Sequence, residues 1–69
     1  MNWKTEKNGK NIEYSLAGVP TLYIYNDIDF NTFLVAYSCD GAAVDHNSLF
    51  ETLEEAKMKL IDCANIGKS

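Results

Sequence analysis

Sixty-nine residues with a net charge of −4 and no arginine leave room for one domain, residues 1–69, built round one core. A hydrophobic share of 46% excludes a disordered chain. The longest uncharged apolar run, around Phe33–Tyr37, falls far short of the ~20 residues a membrane span needs, so no membrane partner is expected.

Met1-Asn2-Trp3-Lys4 opens onto a polar stretch with no apolar leader core, which sets the expectation of a cytoplasmic protein. Lys4, Lys7 and Lys10 gather positive charge there against Glu6 alone. Asn8-Gly9 signals a turn, with Lys4–Lys7 as a candidate short lead-in strand before it. Ile12-Glu13-Tyr14-Ser15-Leu16 alternates apolar and polar residues, the pattern of a half-buried strand. Gly18-Val19-Pro20 breaks it. Thr21-Leu22-Tyr23-Ile24-Tyr25 is β-branched and aromatic, which predicts a second strand. A polar loop over 26–31 carries Asp27 and Asp29, and Thr32–Tyr37 makes the third strand. Asp40-Gly41 then starts a loop over 40–48.

Thr52-Leu53-Glu54-Glu55 is a capping box, a threonine hydroxyl followed three residues later by a glutamate, and it predicts a helix start. Ser48 and Glu51 offer a second box one turn earlier. Leu53, Ala56, Leu60, Cys63 and Ala64 recur at helical spacing and form one apolar stripe. Glu54 and Glu55 suit the positive end of the helix dipole, and Gly67 is a natural stop. The expected fold is α+β: a three-stranded antiparallel sheet packed on one C-terminal helix (βββα).

Strand pairing follows from the alternation. Leu16 is expected opposite Leu22 and Tyr14 opposite Ile24; Ile24 is expected opposite Phe33 and Leu22 opposite Val35. These registers put Ile12, Tyr14, Leu16, Leu22, Ile24, Phe33, Val35 and Tyr37 on one face, ready for the helix stripe. Glu13, Ser15, Thr21, Tyr23, Tyr25, Thr32, Leu34 and Ala36 fall on the other. Only the N-terminal segment with Trp3 remains to lie over that second face. Tyr23, Tyr25 and Leu34, with Trp3, are therefore the candidate interaction surface.

Signals for other chemistry are incomplete. Asp27-Ile28-Asp29-Phe30-Asn31 has the spacing that opens a calcium loop, but Thr32 and Ser38 stand where the motif needs glycine and a bidentate glutamate. Cys39, His46 and Asp45 supply the residue types of a nucleophile, base and orienting acid, without a nucleophile elbow or family signature around Cys39. Cys39, His46 and Cys63 lack zinc-ligand spacing, and the four glycines are isolated turn residues, not a phosphate loop. In a reducing compartment both cysteines read as free thiols. No enzyme, metal or cofactor is expected.

The order of features, Trp3, then a tyrosine-rich hairpin, then Phe50-Glu51-Thr52-Leu53-Glu54-Glu55-Ala56-Lys57, resembles small uncharacterised phage- and prophage-type bacterial proteins with a βββα plan. That resemblance implies a fold comparable with double-stranded-RNA-binding-like or AP2-like domains. The present chain departs from the nucleic-acid-binding members in being acidic and free of arginine, the usual bidentate reader of guanine and phosphate. The function expected is a non-catalytic module that binds another protein, with modulation of a host nucleic-acid system as one outcome. Self-association is expected through the outer face or an open strand edge. The alternative is nucleic-acid binding, with Tyr23 and Tyr25 as stacking platforms and Lys4, Lys7 and Lys10 on phosphates.

Overall fold

The computed structural model describes residues 2–66; Gly67, the expected helix stop, lies outside them. The architecture is α+β, an antiparallel sheet packed against one C-terminal helix, but the sheet has five strands where three were expected. They are β1 (Trp3–Asn8), β2 (Asn11–Leu16), β3 (Val19–Asp27), β4 (Thr32–Tyr37) and β5 (Leu49–Phe50), followed by α1 (Leu53–Ile66). Spatial order equals chain order, so β1 and β5 are the two edges.

The extra strands have separate causes. The lead-in segment becomes a full edge strand because a two-residue turn returns it directly onto β2, pairing Asn8 with Asn11. Gly9 takes φ +65 at the first turn position, the conformation a type II′ hairpin needs there. β5 is only two residues long, too short to display any alternation of its own, and exists because β4 offers it an edge. Residues 42–44 run along the same edge: Tyr37 N–H donates to the Ala42 carbonyl, Ala36 bridges Ala43, and Val44 N–H donates to the Val35 carbonyl. The Val35 N–H then donates to Ser48. Asp45, His46 and Asn47 form an excursion between two pieces of one interrupted edge.

Two pairings differ from expectation. Tyr14 does face Ile24, but Leu16 faces Val19 and not Leu22, because the turn at Ala17-Gly18 is tight and the ladder shifts between Tyr14 and Leu16. Pro20, which has no N–H to offer a ladder, sits in the stretch of β3 that leaves β2. That stretch is held from its other side, where Ser38 donates to the carbonyls of Pro20 and Thr21 at 2.7 and 2.9 Å. Between β3 and β4, Ile24 faces Val35 and Leu22 faces Tyr37, a two-residue offset from the expected pairs. An offset of two preserves which face each side chain takes, so the predicted faces survive the shift.

Helix α1 lies against β3, β4 and β5. Leu22, Ile24, Val35, Ala56 and Leu60 form the buried core, ringed by Tyr14, Leu16, Phe33, Leu53, Cys63 and Ala64 among others. All five residues of the predicted helix stripe face this core. A fully buried leucine or isoleucine contributes ~1.5–3 kcal/mol, so this cluster is the main source of stability. Thr52 caps the helix, accepting the Glu55 N–H at 3.3 Å and donating its hydroxyl to the Glu55 carboxylate at 2.9 Å. Among the described residues no helix is long and apolar enough to cross a membrane.

Candidate interaction face

Two rows of side chains cross the outer face of the sheet. In an antiparallel sheet, directly opposed residues point the same way, so each row can be followed from strand to strand. The first runs Glu6, Glu13, Tyr25, Leu34, Leu49 from β1 to β5. The second holds Lys4 and Ser15 at one end and Tyr23, Ala36 and Ala43 at the other. The face is thus graded: charged over β1 and β2, aromatic and aliphatic over β3 to β5.

Of the predicted surface residues, Tyr23, Tyr25 and Leu34 come together here, each half-buried. Trp3 does not join them. Its partner across the ladder is Leu16, which sends the indole to the helix side, where it packs on the core and carries Lys57 Nζ 5.1 Å from its ring centroid. Leu49 takes its place, 61% exposed beside Leu34. Leu49 stands outside every strand read from the alternation. Phe50 next to it packs on the core, which leaves Leu49 outward, a relation that shows only once the fold has placed Phe50.

The environment of Tyr23 is distinctive. Burial pushes its phenol above the usual tyrosine range, and the carboxylate of Glu13 adds to the shift, with smaller contributions from Tyr25 and Asp40. The turn after β4 closes on its hydroxyl: a Cβ at Gly41, which takes φ +74, would sit 3.5 Å from it. Beside it an open groove of about 600 Å³ is lined by residues including Glu13, Ser15, Gly18, Pro20, Tyr23 and Ser38. Among the described residues four other large hydrophobic side chains are exposed elsewhere: Ile28 and Phe30 on the tip of the β3–β4 hairpin, Tyr37 at the end of β4 on the helix side, and Met58 on α1.

The lysines proposed for phosphates are dispersed. Lys4 lies on the outer face 3.5 Å from Glu6, Lys10 lies in the turn 3.9 Å from Asp29, and Lys7 pairs opposite Ile12 on the helix side. The Asp27–Asn31 segment is a hairpin loop in which Asp27 accepts N–H bonds from Asp29 on its side chain and from Asn31 on its carbonyl. Asn31 adopts φ 53, which asparagine tolerates well. Among the described residues no three His, Cys, Asp or Glu groups gather into a metal-holding cluster.

Asp45 is occupied structurally. Its Oδ1 accepts the Asn47 N–H at 2.8 Å and its Oδ2 accepts Lys59 Nζ at 2.8 Å. The hydrogen bond from Lys59, and then that from Asn47, hold the carboxyl below its usual range; the same bond holds Lys59 above its own. The buried Ser48 hydroxyl donates to the Asp45 carbonyl, and together these bonds fasten the edge excursion to α1. Cys39 is exposed on the turn after β4, and Cys63 is half-buried against the core.

No family model, curated protein or solved structure matches this chain.

Proposed function

We propose that this chain is a non-catalytic protein-interaction module, phage- or prophage-type and cytoplasmic, that docks on another protein through the outer face of its sheet. The observation that carries the reading is the row Tyr25–Leu34–Leu49, apolar side chains on a face that no described element covers, bordered by Glu6 and Glu13. Aromatic and aliphatic centres with a charged rim are the anatomy of protein interfaces, and tyrosine is enriched in them. The acidic rim and the net charge of −4 favour a partner with a basic surface. Modulation of a host nucleic-acid machine by covering such a surface fits that charge.

The test is affinity capture with the full chain as bait, run beside two single variants. Tyr25→Lys puts a charge in the middle of the apolar row and is expected to abolish capture. Met58→Lys alters an exposed apolar side chain on the helix and is expected to leave it unchanged. Raised salt should weaken capture if the acidic rim steers the partner. Equal capture by wild type and Tyr25→Lys, with both folded, would sink the reading.

A further inference from the structure

The two sheet edges are unequal. β5 is two residues long and is separated from the 42–44 piece of the same edge by the 45–47 excursion, which blunts that edge against pairing. β1 is six residues long and regular, and among the described residues nothing pairs with its outer side. The backbone groups it leaves open follow from the turn. In a two-residue hairpin the closing pair, Asn8 and Asn11, is hydrogen-bonded, so Asn8, Glu6 and Lys4 spend their N–H and C=O groups on β2. The bond from Ala17 N–H to the Asn2 carbonyl at 2.9 Å continues the same alternation. Trp3, Thr5 and Lys7 therefore aim their N–H and C=O groups outward.

The residues on that edge read Trp3-Lys4-Thr5-Glu6-Lys7, and their charges are self-complementary. We propose that β1 pairs antiparallel with β1 of a second copy about a two-fold axis at Thr5, joining the two sheets into one. In that register Thr5 faces the partner's Thr5, Lys4 faces the partner's Glu6, Glu6 faces the partner's Lys4, and Trp3 faces the partner's Lys7. All three outward residues then meet outward residues, each pair exchanging two backbone bonds. The opposite charges meet on the outer face, where Glu6 has Lys4 of its own chain 3.5 Å away and Glu13 directly opposite. Like charges opposed in this way are destabilising, and a facing lysine relieves them.

The neighbouring registers fail on charge. A shift of one step toward the N-terminus places Lys4 opposite the partner's Lys4; a shift the other way places Glu6 opposite the partner's Glu6. The pairing is isologous, as two-fold dimers require, so it closes and does not grow into a fibre. It uses the β1 edge and leaves Tyr25, Leu34 and Leu49 free on the outer face. It therefore stands or falls separately from the docking proposed above.

The experiment is sedimentation equilibrium of the full chain at near-physiological salt, with charge swaps at two exposed positions. Wild type is expected to be a dimer. Glu6→Lys alone and Lys4→Glu alone each create two like-charge contacts across the axis and should weaken the dimer at least about tenfold. The double variant Lys4→Glu/Glu6→Lys restores opposite pairing in this register only and should return the dissociation constant to within a few-fold of wild type. Thr5→Pro removes an outward N–H at the axis and should give a monomer whose circular dichroism is unchanged. A wild type monomeric at its solubility limit overturns the proposal. So does a dimer indifferent to the single swaps, or a folded double variant that stays as weak as the singles.

Discussion

On the helix side of the sheet, Ile24, Val35 and Leu60 have no exposure to solvent; on the other side, Leu49 keeps 61% of its surface in water. The same strands supply both faces, because successive side chains along a strand point in opposite directions. The helix side is closed by α1 with a stripe cut to fit it. The outer side carries tyrosines and leucines of the kind that would serve as core, yet beyond the turn at Gly41, which closes on Tyr23, no described strand or helix lies over it. The described residues form one helix, and it covers one face. Under the proposed function the difference between the faces is a difference in use: one holds the fold together, and the other docks a partner.

The largest expected effect separates the faces by stability. Leu60→Ala should cost ~2–5 kcal/mol, a large part of what a small domain has, while Leu49→Ala should stay within ~0.5 kcal/mol of wild type. Urea unfolding of the two variants reads this directly, and equal losses would erase the distinction. A smaller effect lies at the helix start, where Thr52→Ala removes the only side-chain cap given to the Glu55 N–H and should cost ~1 kcal/mol by the same measurement.

A bond from Lys59 to Asp45 fixes the β5 edge to the helix. Asp45 has its carboxyl lowered in the folded chain by the bonds from Lys59 and Asn47. A lowered carboxyl contributes stability that is fully present above the unfolded value, ~4, and is lost as pH falls through the folded value. The urea midpoint of wild type should therefore decline more steeply below about pH 4 than that of Asp45→Asn, the two converging in acid. Parallel curves would show that the pair contributes nothing.

The smallest effect is spectroscopic and belongs to the outer face. The Tyr23 phenol is raised first by burial and then by Glu13. One tyrosine should ionise above the ordinary value of ~10 when absorbance near 295 nm is followed with pH, and Glu13→Gln should bring that step downward. Because the unfolded chain releases this proton first, stability should fall as pH rises beyond ~10. Four tyrosines titrating together would remove the special environment assigned to Tyr23.

The parts legible in the sequence were those set by short-range periodicity. The alternation assigned residues 12–16, 21–25 and 32–37 to their faces but not the Val19, Pro20, Asn26 and Asp27 that extend β3, and the helix stripe assigned Leu53, Ala56, Leu60, Cys63 and Ala64 to the core. Both tolerate a register error of two. What escaped was set by partners far along the chain. β5 is a strand only because β4 has an edge to offer, and the shift at Ser15 depends on a tight turn that competes with a continuous ladder. The Asp45–Lys59 bond joins a loop to a helix fourteen residues away, with nothing local to announce it. Three of the candidate surface residues were found by alternation. Trp3 was misplaced because its side is fixed by pairing with Leu16, and Leu49 was passed over because two residues show no period.

The most direct test of the outer face as the docking surface is photo-crosslinking in cells that express the full chain. A photoreactive amino acid replaces Leu49 on the outer face in one version and Met58 on the helix in another. The account predicts discrete adducts with another protein from position 49 and none from position 58. Adducts from 58 alone, or the same adducts at equal yield from both, would contradict it.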